Sequence, residues 1–87
     1  MVYFIQAENG LIKIGYSGNV SRRFRELSHV SPLPLKLLAT KSGDQITERF
    51  LHKVFNHSHG EWFHPDDRLI QYIYDECMIY DECMIYA

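Results

Sequence analysis

The sequence predicts one α+β domain in which a small sheet and its helices form layers, an α/β layered unit. Three observations predict it. Two β-branched and aromatic runs, "VYFIQA" at 2–7 and "LIKIGY" at 11–16, are separated only by "ENG", a β-hairpin signal. Three later segments carry helical patterning, each preceded by residues that start helices. No Gly-, Pro- or Ser-rich linker divides the 87 residues, which are enough for one core.

Taken in order, the hairpin hands over at Gly15-Tyr16 to "SGN", where Asn19 can cap a helix over "VSRRFRELS", residues 20–28. "SPLPLKLLAT" follows. Its prolines exclude helix interior, and residues 35–41 read as a third strand. Ser42, Gly43 and Asp44 supply turn and cap chemistry for a second helix over 45–56. "SHGEWFHPDD" reads as a loop holding a core-type Trp62-Phe63 pair. Pro65 suits the first turn of a last helix, and Asp66 and Asp67 favour its positive end.

The tail repeats itself, "DECMIY" at 75–80 and again at 81–86. Continued as a helix, the second copy is turned ~120° from the first and cannot extend its face. The expected organisation is therefore a domain over 1–74 and a helical tail over 75–87, a short duplication. Self-association through an apolar patch on that tail is the alternative. Cys77 and Cys83, placed on one helix six residues apart, do not suggest a disulfide.

Composition narrows the function classes. The hydrophobic fraction of 46% is that of a globular protein, and no apolar run reaches the ~18 residues a membrane span needs. "MVYFIQAENG" lacks the basic segment and cleavage site of a signal peptide, so a cytoplasmic monomer is expected. Net charge is −2, but residues 75–87 hold Asp75, Glu76, Asp81 and Glu82 and no basic residue. The remainder has nine Lys/Arg against seven Asp/Glu, a charge of +2, so any contact with DNA is local.

Helical wheels select among the polar residues. On the first helix Val20, Phe24 and Leu27 fall within ~60° of one another, and Arg23 borders that stripe while Arg22 and Arg25 point away. On the second, Ile46, Phe50, Leu51, Val54 and Phe55 form a broad apolar arc opposite Arg49 and Lys53. Glu48 lies at its edge, with His52 one turn later on the same side. His52, His57, His59, His64 and Glu61 crowd one region, but their spacing matches no zinc pattern and no cysteine is near.

These pieces resemble the GIY-YIG nuclease superfamily, in its compact single-domain branch: "VYFI" at 2–5, "KIGYS" at 13–17, "RFREL" at 23–27, "ERFLHKVF" at 48–55 and "EWF" at 61–63. Their order and spacing over residues 1–73 carry the likeness. The resemblance implies a three-stranded antiparallel sheet flanked by helices, and Mg²⁺- or Mn²⁺-dependent endonuclease cleavage of a DNA phosphodiester in a phage or bacterial setting. By position it implies Tyr3 as general base, Arg23 on the phosphate and Glu48 on the metal. Lys13 stands where the second motif has tyrosine, and Met1 where the first has glycine. A lysine beside Tyr3 would favour its ionised form. Lys13, Tyr16, Arg23 and His52 are the expected nucleic-acid contacts, and no small-molecule cofactor is expected. Two other readings remain: a catalytically inactive nucleic-acid-binding module of the same fold, and a protein-interaction domain with Trp62 as its anchor.

The turn supplies a test. A two-residue Asn9-Gly10 turn puts Tyr3 and Lys13 on opposite faces of the hairpin. A three-residue Glu8-Asn9-Gly10 loop, with Gly10 left-handed, puts Ile5 opposite Lys13 and both on Tyr3's face. The nuclease reading requires the second.

Overall fold

The computed structural model describes residues 1–55, 62–79 and 85–86. Strands β1 (Val2–Ala7) and β2 (Ile12–Tyr16) form the hairpin, followed by helix α1 (Val20–Val30), strand β3 (Leu35–Lys41) and helix α2 (Gln45–Val54). Then come β4 (Trp62–Phe63), α3 (Asp67–Glu76), β5 (Met78–Ile79) and β6 (Ile85–Tyr86).

The expected three-stranded sheet is corrected. The sheet is antiparallel with five strands in the order β4-β2-β1-β3-β5, and β6 pairs further along β3. The three added strands are two residues long, too short for any alternation of side chains to show in sequence. They arise because β2 and β3 leave open rows of backbone N–H and C=O that short segments can cover. Trp62 and Phe63, expected in a loop, pair with Lys13 and Ile12.

The helical tail is corrected by the same edge. α3 ends at Glu76, where Cys77 caps it by donating its N–H to the Ile73 carbonyl. Met78 and Ile79 then pair with Thr40 and Ala39, while Ile85 and Tyr86 pair with Lys36 and Leu35. Cys77 is thus outside the helix, and Cys83 lies outside the described residues.

Each helix starts on a side-chain oxygen. Asn19 accepts from Arg22 N–H, Asp44 from Ile46 and Thr47, and Asp66 from Leu69. Pro65 therefore stands just before the cap rather than in the first turn.

Both faces of the sheet are covered, which is why "VYFI" is continuously apolar instead of alternating. On one face Tyr3, Ile5, Ala7, Leu35 and Leu37 pack with Phe24 of α1. On the other Val2, Phe4, Ile12, Ile14 and Ala39 pack with Leu51 and Phe55 of α2 and Leu69 and Ile73 of α3. β3 serves both cores through a bulge. Its partner register slips between Phe4–Ala39 and Ile5–Leu37, so Leu38 is the extra residue and the alternation of β3 changes phase there.

Candidate active site

The hairpin turn decides which side chains meet. Ala7 and Leu11 close the ladder, Gly10 donates its N–H to the Ala7 carbonyl at 2.9 Å, and Gly10 has φ of +95°. Asn9 Oδ1 accepts from Leu11 N–H at 3.1 Å, which fixes the loop against rearrangement. The result is the three-residue loop, with Ile5 opposite Lys13 and Tyr3 opposite Gly15. Tyr3, Lys13 and Gly15 therefore share one face.

Gly15 has a steric reason to be glycine. The Tyr3 ring lies across it, and a Cβ there would fall onto Cζ and the hydroxyl oxygen of Tyr3. Tyr3 is 2% exposed. Its hydroxyl accepts a hydrogen bond from the Arg23 guanidinium, and that bond is the main reason the arginine is held above its ordinary pKa, against the opposing effect of burial. Attraction to Glu26 adds to it, with Arg23 Nη1 3.6 Å from Glu26 Oε1. Arg23 keeps 45% of its side chain exposed, so a guanidinium with five donors still faces solvent.

α1 aims that arginine. Asn19 starts the helix and buried Phe24 anchors it to the sheet, which leaves the preceding residue at the margin of core and solvent. Arg22 and Arg25 face outward as the wheel indicates. Arg22 pairs with Glu26 at 3.3 Å, an exposed i,i+4 contact of small energetic weight.

Lys13 is 8% exposed and sits beside Trp62, its Nζ 5.8 Å from the ring centroid. Sequence reasoning missed this cation–π partner, because it depends on the two-residue β4 pairing directly opposite Lys13. A charged lysine tip in an otherwise apolar strand was the only available signal.

The remaining candidates lie across the sheet. Tyr16 partners Val2 on the opposite face from Lys13 and is partly exposed. α2 packs on that same second face. His52 Nε2 is 2.8 Å from the Ile14 carbonyl oxygen, and its ring meets Phe63 edge-on with centroids 5.1 Å apart. A carbonyl only accepts, so Nε2 carries the hydrogen and donates. His52 thereby ties α2 to the β2 edge, between Lys13 and Gly15 in sequence. Glu48, one turn earlier, is half-buried, and among the described residues its carboxylate has no ion pair or side-chain hydrogen bond. No group of three His, Cys, Asp or Glu able to hold a metal occurs among the described residues. His57, His59 and Glu61 lie outside them.

α2 also corrects the wheel. Leu51 and Phe55 are buried, but Ile46 is 75% and Phe50 62% exposed, because the helix rotates its Glu48–His52 flank toward β2. Among the described residues no helix is long and apolar enough to cross a membrane.

Residues 1–78 match the family model of the T5orf172 domain, a span that takes in the whole of this face, all three helices and the start of β5. No curated protein and no solved structure matches the chain.

Proposed function

On the premise that this chain belongs to the T5orf172 domain family, we propose that it acts on DNA and, as its likeness to the GIY-YIG nucleases implies, hydrolyses a DNA phosphodiester. The observation that carries this reading is the bond between Tyr3 and Arg23 on the face that also holds Lys13 and Gly15. Arg23 presents a planar fork of donors that stays charged, and its exposed side can take a phosphate oxygen while the other side holds Tyr3. Arg23 donating to the phenol oxygen and Lys13 on the same face are the two cations placed to offset the cost of ionising a buried Tyr3. An ionised Tyr3 accepts the proton of the attacking water as its oxygen bonds to phosphorus and the scissile P–O bond breaks.

Glu48 fits a hard divalent ion, since it offers a half-buried carboxylate with no described partner, and Mg²⁺ binds through one or two carboxylates while keeping water. When bound there, Mg²⁺ or Mn²⁺ would supply polarisation of a phosphoryl oxygen or of the leaving oxygen.

Supercoiled plasmid incubated with the protein and Mg²⁺ tests the proposal. Wild type is expected to nick it, and Tyr3→Phe, Arg23→Ala and Glu48→Ala each to lose at least about 10²-fold in rate. Nicking retained by Tyr3→Phe and Arg23→Ala would sink the assigned site.

A second reading, a nucleic-acid-binding module without catalysis, is favoured by one observation. α2, which carries Glu48, packs on the face of the sheet away from Tyr3 and Arg23. Retardation of DNA with no nicking under Mg²⁺ or Mn²⁺ is its expected result.

A further inference from the structure

The outer face of α2 has no assignment in the site above. Residues 45, 46, 49, 50 and 53 recur at helical spacing, and Gln45, Ile46, Arg49, Phe50 and Lys53 are all exposed. An isoleucine 75% exposed and a phenylalanine 62% exposed one turn apart are out of place on a solvated surface. Two cations flank the ring and no acidic residue shares the stripe. The acidic surface is elsewhere, with Asp67, Asp75 and Glu76 exposed on α3.

We infer that this stripe is a docking surface for an unpaired stretch of DNA, with a base stacked on Phe50 and phosphates on Arg49 and Lys53. Charge complementarity selects the occupant. In a chain of net charge −2, a face with two cations and no anion attracts a polyanion. The ring selects the form of that polyanion. An exposed aromatic stacks on any base whose flat face is available, which single strands offer and an intact duplex offers only at its ends. Arg49 and Lys53 stand one turn and ~6 Å apart along α2, and Ile46 and Phe50 form the adjoining row, so a strand lying along the helix can set phosphates on the cations and a base on the ring beside them. Glu48 stands on the flank of the same helix, so the stripe adjoins the carboxylate assigned to the metal. The inference rests on the DNA reading above and adds to it a strand preference.

Fluorescence anisotropy with a fluorescein-labelled oligonucleotide, single-stranded and then annealed to its complement, tests it across a salt series. Phe50→Ala is expected to weaken single-strand binding roughly ten-fold and duplex binding little, while Phe50→Tyr keeps wild-type affinity. The Arg49→Ala/Lys53→Ala double variant is expected to flatten the plot of log affinity against log salt by about 1.4 for the single strand. If wild type binds DNA, Arg23→Ala weakens it and all three α2 variants bind as wild type does, the stripe is not a contact and the proposed function stands without it. If no form binds either oligonucleotide, the proposed function falls and the inference with it. If light scattering shows a DNA-free oligomer that Phe50→Ala dissolves, the face is an interface with a second copy and the inference is overturned. Far-UV circular dichroism of each variant guards against loss of fold.

Discussion

Gly15 and Tyr3 constrain each other at the residue scale, since the ring occupies the space where a side chain at 15 would begin. Gly15→Ala is expected to push Tyr3 off Arg23. Overpacking of this kind costs about 1–3 kcal/mol, and plasmid nicking falls with it; a thermal melt and the nicking assay check the two effects. A variant that nicks normally would mean that the Tyr3–Arg23 bond is unnecessary. Cys77 offers a second test. Burial pushes its thiol up to about 11, with Lys41 opposing the shift and Glu76 reinforcing it. Because the thiol is the neutral form, it stays protonated at neutral pH and becomes a reactive thiolate only as pH rises toward that value. In a Cys83→Ser background, reaction with a disulfide reagent at pH 7.5 is expected to run about two orders of magnitude slower than for a free cysteine. A rate equal to that of glutathione would show the thiol to be accessible.

The element that separates packing from surface is α2. Its apolar residues are more numerous than the core can take, and only those on the flank facing β2 and α3 are buried. Leu51→Ala is expected to lower unfolding free energy by about 2–5 kcal/mol, through lost burial and the cavity left behind. Ile46→Ala is expected to stay within ~0.5 kcal/mol. Urea denaturation of the two proteins distinguishes them, and equal losses would place Ile46 in the core. The cap belongs to the same scale. Asp44 satisfies two N–H groups at 3.0 and 3.2 Å, and Asp44→Ala is expected to cost about 1 kcal/mol in the same measurement.

At the scale of the whole molecule, the outer edge of β3 is covered by both copies of the duplicated segment, β5 from the first and β6 from the second. Within the first copy, Met78 and Ile79 are exposed and add no core. Among the described residues the buried side chains of both cores all precede residue 78, and β6 pairs its backbone with Leu35 and Lys36. A chain ending at Ile79 is therefore expected to melt within about 5 °C of the full chain, the shift that ~1 kcal/mol produces in a domain of this size. A collapse of the cooperative transition would show that β6 is required for folding.

The hairpin, the third strand, the three helices and the caps Asn19 and Asp44 were legible in the sequence because each is governed by local chemistry: β-branched runs broken by a short turn, and side-chain oxygens at helix starts. Arg23 was legible for the same reason, as a border residue on an amphipathic helix. The strands β4, β5 and β6 were not, since a two-residue pairing has no period and exists only where another strand leaves its backbone open. Nor was the exposure of Ile46 and Phe50, because a wheel ranks hydrophobicity but does not know which flank another element will cover. The sequence alone thus determined which local elements form and left two hairpin registers open; the Ala7–Leu11 closure with a left-handed Gly10 is what gathers Tyr3, Lys13 and Gly15 on one face. Tertiary structure decided that Arg23 reaches Tyr3, that Trp62 lies beside Lys13, and that the helix carrying Glu48 packs on the other face of the sheet. Those are contacts between segments far apart in the chain, and packing of the two faces selects them where local propensity cannot.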